Sequence, residues 1–277
     1  MSNSSFKVAA IQMVSGTQLA SNLESAARLV AQAAAKGVQL VLLPEYFCLM
    51  GQDDQAKVRI REPHDQGQAA GPIQHFLSNA AKQHGIWLVG GTIPLAANDS
   101  GKVLNTTLVF NPQGQEVGRY DKIHLFGFKK GEESYNESET IERGNQVGFF
   151  DAPVGRVGLS VCYDLRFPEL YRAMSKDGIH PVLILMPAAF TYTTGSAHWE
   201  VLLRARAIEN QCYVLASAQG GKHENGRRTW GHSMLIDPWG QIIEQLPEGE
   251  GMVIGDIDLS RLKDIREQLP ALAHRLL

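Results

Sequence analysis

Three residues of different chemistry, Glu45, Lys122 and Cys162, each stand at the end of a stretch that reads as a β-strand. A carboxylate, an ammonium and a thiol form a usable set. The thiolate is the reactive form of cysteine, and a neighbouring cation favours it. A carboxylate can take the thiol proton and later activate water. An ammonium, with backbone N–H groups beside it, can hold the oxyanion of a tetrahedral intermediate. Each residue alone has a plainer explanation. Cys162 could be a core cysteine, Lys122 a lysine whose stem packs while its head reaches water, and Glu45 a solvated loop glutamate. Their shared placement at strand ends, where α/β folds put active sites, favours the chemistry.

The stretch around the thiol is GRVGLSVCYDLRFPELYR, residues 155–172. Val157, Leu159 and Val161 alternate with small residues, as in a buried strand. Pro168 then opens a run of helix formers, and Pro is favoured at the first helical position. Cys162 therefore lies where a strand turns into a helix. Such a junction lifts a side chain out of the sheet and leaves backbone N–H groups beside it.

The elements needed to bring the three residues together follow from periodicity. Lys7–Met13 reads as a strand, Asn22–Lys36 as an amphipathic helix closed by Gly37, and Val38–Leu43 as a second strand, a βαβ-type unit. Ile73–His84 is a helix and Ile86–Thr92 a strand. Val103–Phe110 and Val117–Tyr120 form a hairpin around Asn111-Pro112-Gln113-Gly114. The second half repeats the scheme: the Cys162 elbow, strand Pro181–Met186, helix Ala197–Asn210, strand Tyr213–Ala218, and a hairpin around Pro238-Trp239-Gly240. Gly251–Ile257 is a last strand, with a helix or arm from about Leu259. The order suggests two similar layers stacked face to face, each a sheet with helices outside. Residues 48–71 carry no clear pattern, and Phe126–Asn145 reads as a long polar loop, the kind that is functional or mobile. No linker or composition break interrupts residues 1–277, so one domain is expected.

Composition narrows the function. The 277 residues are 44% hydrophobic and 20% charged, an ordinary globular balance. A net charge of −3 gives no reason to expect nucleic acid or an anionic membrane as partner. Three widely spaced cysteines, with no CxxC, fit free thiols in a reducing compartment. The N-terminus lacks the pattern of a signal peptide, and no apolar run approaches the ~20 residues of a membrane helix. A cytoplasmic protein is expected.

The motifs LLPEYF around Glu45, RYDKIHLF around Lys122 and GLSVCYDLRFPELYR around Cys162, in this order, resemble the nitrilase superfamily of carbon–nitrogen hydrolases. The resemblance runs from AAIQM to GMVIGDIDLSRL. It implies an α/β fold, a four-layer αββα sandwich, whose subunits pair as a homodimer. It also implies a catalytic triad: Glu45 as general base, Lys122 as oxyanion stabiliser and Cys162 as nucleophile. The Tyr163 backbone N–H completes the oxyanion hole, and Glu137 in YNESET matches a second, supporting glutamate, although Glu132, Glu133, Glu139 and Glu142 lie near it in sequence. HLFGF, AHWEVLLRARAIE and GHSMLIDPWG lean toward the deaminated-glutathione amidase and ω-amidase branch. The implied reaction is attack of Cys162 on a small carboxylate-bearing amide, release of ammonia, and hydrolysis of a thioester; no cofactor is implied.

Other readings are N-carbamoyl or nitrile hydrolysis on the same triad, or a non-catalytic scaffold. A binding module has no need of a costly buried charge pair beside a thiol. His124 or His198 could pair with a cysteine, yet a histidine two residues after Lys122 more often orients a neighbour. GLSVC is not a GxSxG elbow, so Ser160 is not the expected nucleophile. Gly90-Gly91 lacks the rest of a dinucleotide fingerprint, and no histidine–carboxylate spacing marks a metal site.

Overall fold

The computed structural model describes residues 5–65, 70–131, 133–175 and 178–276. The first part of the chain gives β1 (Phe6–Gln12), α1 (Leu19–Ala35), β2 (Leu40–Leu42), α2 (Ala56–Arg59), α3 (Pro72–His84), β3 (Trp87–Val89), β4 (Ile93–Ala96), β5 (Val103–Phe110) and β6 (Glu116–Asp121). A middle segment adds the short strands β7 (Gly127–Lys130), β8 (Glu133–Asn136) and β9 (Ile141–Glu142). The last part gives β10 (Gly148–Ala152), β11 (Gly155–Leu159), α4 (Pro168–Ala173), β12 (Leu183–Ala188), α5 (Tyr192–Asn210) and β13 (Tyr213–Ala218). It ends with β14 (Gly220–Lys222), β15 (Arg228–Trp230), β16 (Ser233–Ile236), β17 (Ile242–Leu246), β18 (Gly251–Ile257) and α6 (Leu259–Gln268).

Two mixed sheets form. The first runs β18-β1-β2-β3-β5-β4, with β6 and β9 also on β5; the second runs β10-β11-β12-β13-β16-β17. Each is built on three parallel strands, β1-β2-β3 in one and β11-β12-β13 in the other. β18 crosses back to pair with β1 from Phe6↔Ile257 to Gln12↔Gly251, so the end of the chain closes the first sheet.

The period-2 alternation of β1 and β2 explains the layering. Val8, Ala10, Leu40 and Leu42 share a core with Val157, Leu159, Leu183 and Leu185 of the second sheet. Their alternates Ala9, Ile11, Val41 and Leu43 pack instead against Ala26, Leu29, Val30 and Ala33 of α1 and Ile73 and Leu77 of α3. Strands buried on both faces read as continuous apolar runs, as VQLVLL does. On the far side, Trp199, Leu203 and Ala207 of α5 cover the second sheet. The result is helix, sheet, sheet, helix. Burial of one such leucine stabilises the fold by roughly 1.5–3 kcal/mol.

The stretch read as a loop from Phe126 to Asn145 contains more order. β7 and β8 pair as a hairpin from Gly127↔Asn136 to Lys130↔Glu133, and Glu137–Glu139 is a 3₁₀ turn. Its strands are short and half-exposed, so their side chains carry little hydrophobic alternation to read. The unpatterned segment after Cys48 holds the one-turn helix α2.

Candidate active site

Glu45 follows β2 by three residues. Its carboxylate is 1% exposed. Isolated burial of a charge is costly, so its partners decide whether it is tolerated. Oε1 accepts from Lys122 Nζ at 3.0 Å and from Asn105 Nδ2 at 2.9 Å, and Oε2 accepts from the Ala189 N–H at 2.8 Å. The two sheets thus meet on one side chain: Asn105 lies in β5, while Ala189 follows β12. Gly91 makes the close approach beneath it, since a Cβ there would stand 2.1 Å from the Pro44 carbonyl oxygen.

Lys122 leaves the end of β6 and is fully buried. Its Nζ donates to Glu45 Oε1 and to both oxygens of Glu137, at 3.0 Å and 2.8 Å. Burial alone would lower the pKa of Lys122, but the Glu137 and Glu45 charges outweigh it and hold it well above the ordinary value. The lysine is therefore a fixed cation.

Glu137 is 14% exposed. It accepts from the Tyr46 hydroxyl at 2.9 Å and the Phe126 N–H at 2.7 Å. Burial would raise its pKa, yet Lys122 holds it below the usual carboxylate value. Of the glutamates near it in sequence, Glu133 accepts from Thr193, Glu139 from Asn136 and Glu142 from Asn98; Glu132 lies outside the described residues. Only Glu137 among these described glutamates meets Lys122.

Cys162 opens the 3₁₀ turn Cys162–Arg166 and has φ +50°. That left-handed conformation is uncommon outside glycine, and such residues cluster at functional sites. Tyr46, next to Glu45, shares it with φ +55°. The turn is pinned by Asp164, whose buried carboxylate accepts from Val161 N–H at 2.9 Å, Tyr120 hydroxyl at 2.6 Å and His124 Nδ1 at 2.7 Å. The Tyr163 N–H is the next backbone donor after the thiol.

The thiol itself departs from expectation. Burial, then the Glu45 charge, push the Cys162 pKa well above its ordinary value, and Lys122 opposes them without prevailing. The reason is geometric: Lys122 is already shared between two carboxylates. The thiol is held towards its protonated form, with the Glu45 carboxylate as the nearby charge that can receive its proton.

The alternatives resolve simply. His124 stacks on Phe167 with centroids 3.7 Å apart and binds Asp164. His198 Nδ1 accepts from Arg166 at 3.2 Å. Ser160 Oγ is spent on the Leu185 carbonyl. Among the described residues no group of three His, Cys, Asp or Glu side chains converges as a metal site. Sequence reading missed Asn105, Ala189 and Asp164. Asn105 and Asp164 carried a faint signal as polar residues inside apolar runs; the Ala189 backbone donor carried none.

A strand-end carboxylate, lysine and thiol between two stacked sheets define a hydrolase of the αββα class. The chain belongs to the carbon–nitrogen hydrolase family, whose model matches residues 7–267. It is an enzyme acting on non-peptide carbon–nitrogen bonds. It is 42% identical over 270 residues to a deaminated glutathione amidase of Yersinia enterocolitica, covering 96% of this chain and 92% of that one. It is 39% identical over 266 residues to an omega-amidase of Xenopus tropicalis, covering 96% and 93%. Among solved structures, Saccharomyces cerevisiae Nit3 superposes with a TM-score of 0.86 at 31% identity, covering 96% and 94%. The nitrilase–Fhit fusion protein of Caenorhabditis elegans superposes with a TM-score of 0.88 at 36% identity; the chain spans 66% of that longer protein.

Proposed function

We propose that this protein is a cysteine-dependent amidase that hydrolyses a small carboxylate-bearing amide, deaminated glutathione or a related ω-amide, through a covalent thioester. The observation that carries the proposal is one buried carboxylate, Glu45, that accepts from the Lys122 ammonium at 3.0 Å and whose charge also bears on the Cys162 thiol. The names of the similar amidases support the substrate class.

The geometry supports the following steps. Glu45 takes the thiol proton as Sγ forms a bond to the amide carbon. The oxyanion falls to Lys122 Nζ and the Tyr163 N–H, donors fixed before reaction. The intermediate collapses, the C–N bond breaks, and Glu45 returns its proton to the leaving nitrogen. Glu45 then deprotonates water as it attacks the thioester; the second intermediate breaks its C–S bond, Sγ takes the proton back from Glu45, and the acid is freed. Glu137 transfers no proton. It holds Lys122 in place and accepts from the substrate amide.

The Cys162 thiol, Arg166, Ala189 and Thr194 line a hollow of about 210 Å³. Arg166 faces no carboxylate within ion-pair distance among the described residues, and it suits a carboxylate on the acyl chain. Arginine is well matched to such a group. N-carbamoyl and nitrile hydrolysis remain open to the same triad. A panel of ω-amides, carbamoyl compounds and nitriles, read for amine, ammonia and CO₂ release with intact-mass detection of the acyl-enzyme, tests the reading. CO₂ release, or turnover with no acyl-enzyme on Cys162, would reject it.

The three cysteines are free and buried, and no described helix is long and apolar enough to cross a membrane. A cytoplasmic homodimer of one-domain subunits, with no nucleic acid or membrane partner, is the arrangement we propose. α4 and the arm after α6 meet in a hollow lined by Pro168, Glu169, Arg172 and Ala271, which suits a second subunit. A C2 pair is the commonest closed assembly. A stable monomer in light scattering at micromolar concentration would reject it.

A further inference from the structure

Gln219 stands just past β13 and is fully buried. A single parallel bridge joins it to Met13, just past β1, so it sits where the ends of the two sheets meet. Every polar atom of its side chain is engaged. Oε1 accepts from the Ser15 N–H at 3.0 Å. Nε2 donates to Ser15 Oγ at 2.8 Å and to the Glu45 carbonyl at 3.1 Å. The Ser15 hydroxyl donates in turn to the Phe47 carbonyl at 2.9 Å. These partners fix which way the amide points. Its flipped form would set the amide nitrogen against an N–H and the amide oxygen against a carbonyl.

The bonds bracket a strained residue. Tyr46 has φ +55°, and a residue in that region persists only where its surroundings over-determine it. Its own N–H donates to Thr92 Oγ1 at 3.0 Å. The carbonyls on either side of it, those of Glu45 and Phe47, are the ones that Gln219 and Ser15 hold. The main chain of Gln219 acts on Glu45 from the other end. The Gln219 N–H donates to the Ala188 carbonyl at 2.8 Å. That carbonyl belongs to the same peptide unit as the Ala189 N–H, which donates to Glu45 Oε2 at 2.8 Å. Hydrogen bonds in such a chain polarise and strengthen one another. Gln219 thus grips Glu45 twice, at its backbone and, through one peptide, at its carboxylate.

We infer that Gln219 is a positioning residue for the general base: it sets where the Glu45 carboxylate stands relative to the Cys162 thiol. This rests on the amidase reading above, in which Glu45 moves protons in both half-reactions. A base must meet its proton within hydrogen-bond reach, and Glu45 must do so twice, first at Sγ and then at water. Lys122 and Asn105 do not fix it by themselves. Both bind Oε1, which leaves the carboxylate free to turn about that oxygen. The Ala189 N–H on Oε2 removes that freedom, and Gln219 holds the Ala189 peptide. Gln219 does not line the hollow beside Cys162, so its effect falls on kcat rather than on KM.

The test is Gln219→Met, which is close in size and removes the side-chain bonds. On the best amide of the panel it should lower kcat by roughly tenfold to a hundredfold with KM within about twofold, the scale on which a small misplacement of a reacting group costs rate. A structural role could also cost rate, so the thiol is read as well. In Gln219→Met the alkylation of Cys162 by iodoacetamide should climb at lower pH than in wild type, because the Glu45 charge is less firmly held against the thiol. The double variant with Glu45→Gln should match Glu45→Gln alone, as expected when one residue acts through the other. Ser15→Ala removes one link of the same chain and should move both readings in the same sense; it carries the test should Gln219→Met not fold. Wild-type kcat, or a thiol profile at its wild-type position, would overturn the inference. So would an equal shift added on top of Glu45→Gln. Each of these leaves the amidase reading standing as long as the wild type forms an acyl-enzyme on Cys162. Absence of that acyl-enzyme would overturn both.

Discussion

The Tyr120 hydroxyl donates to Asp164 Oδ2 at 2.6 Å, tying the strand that ends in Lys122 to the turn that begins with Cys162. Tyr120 lies two residues before the lysine and Asp164 two after the cysteine, and both are buried. This bond ties the spacing between Lys122 and Cys162 across the two sheets. Tyr120→Phe should therefore lower kcat with little change in KM, and cost about 1 kcal/mol of stability. Asp164→Asn loses the charge that several donors converge on and should cost more, with urea midpoints and steady-state kinetics as the readout. Wild-type kcat in both variants would remove the tether from the mechanism.

Cys162→Ala should abolish turnover and leave the fold intact, because the change removes little volume from a turn held by Asp164. Circular dichroism and thermal melting check the fold, and amine release checks the activity. More than a trace of turnover would exclude Cys162 as nucleophile.

The charged residues should separate by step. Glu45→Gln should slow acylation and deacylation together. Lys122→Ala should lose roughly 10²–10³ in kcat or more, as loss of an oxyanion donor does. It also leaves two buried carboxylates without their cation, a change that typically costs 3–5 kcal/mol, so its melting temperature should drop sharply. Glu137→Gln keeps the shape and should be impaired but measurable, with the thioester trappable by mass spectrometry. Acylation at the wild-type rate in Glu45→Gln would take the base role from Glu45.

Thiol reactivity should reflect the raised pKa. Cys48 and Cys212 are pushed up to about 12 by burial and are nearly or fully inaccessible. Cys162, 7% exposed, should still alkylate first with iodoacetamide, with a rate that climbs above the ordinary thiol range of pH. Glu45→Gln removes a negative neighbour and should move that climb to lower pH. An unmoved profile would mean that Glu45 does not set the thiol's ionisation.

Glu137 links stability to acid. Its folded pKa is depressed, so between that value and the unfolded one, about 4.3, the unfolded chain binds more protons. Stability therefore rises with pH across that window, and the contribution is lost as pH falls through the folded value. Urea midpoints of wild type and Glu137→Gln should differ near neutrality and converge in acid. A constant difference across pH 3–6 would show that Glu137 carries no linked proton.

Much of this was legible in the sequence, for a physical reason. β2 and β12 are buried on both faces, so their side chains are apolar throughout, and Glu45 and Cys162 stand out where they follow the apolar runs of β2 and β11, while Lys122 follows the half-exposed β6. The turn at Cys162 was readable because Pro168 fixes where the helix can start. The hairpin of β7 and β8 was not, since half-exposed short strands need no hydrophobic alternation. The charge balance of the site also lay beyond sequence. That Lys122 would be divided between Glu45 and Glu137, and so not offset the upward push of burial and of Glu45 on the thiol, depends on distances of 3 Å that only the fold creates. The Ala189 N–H on Glu45 is a backbone donor that no side chain announces.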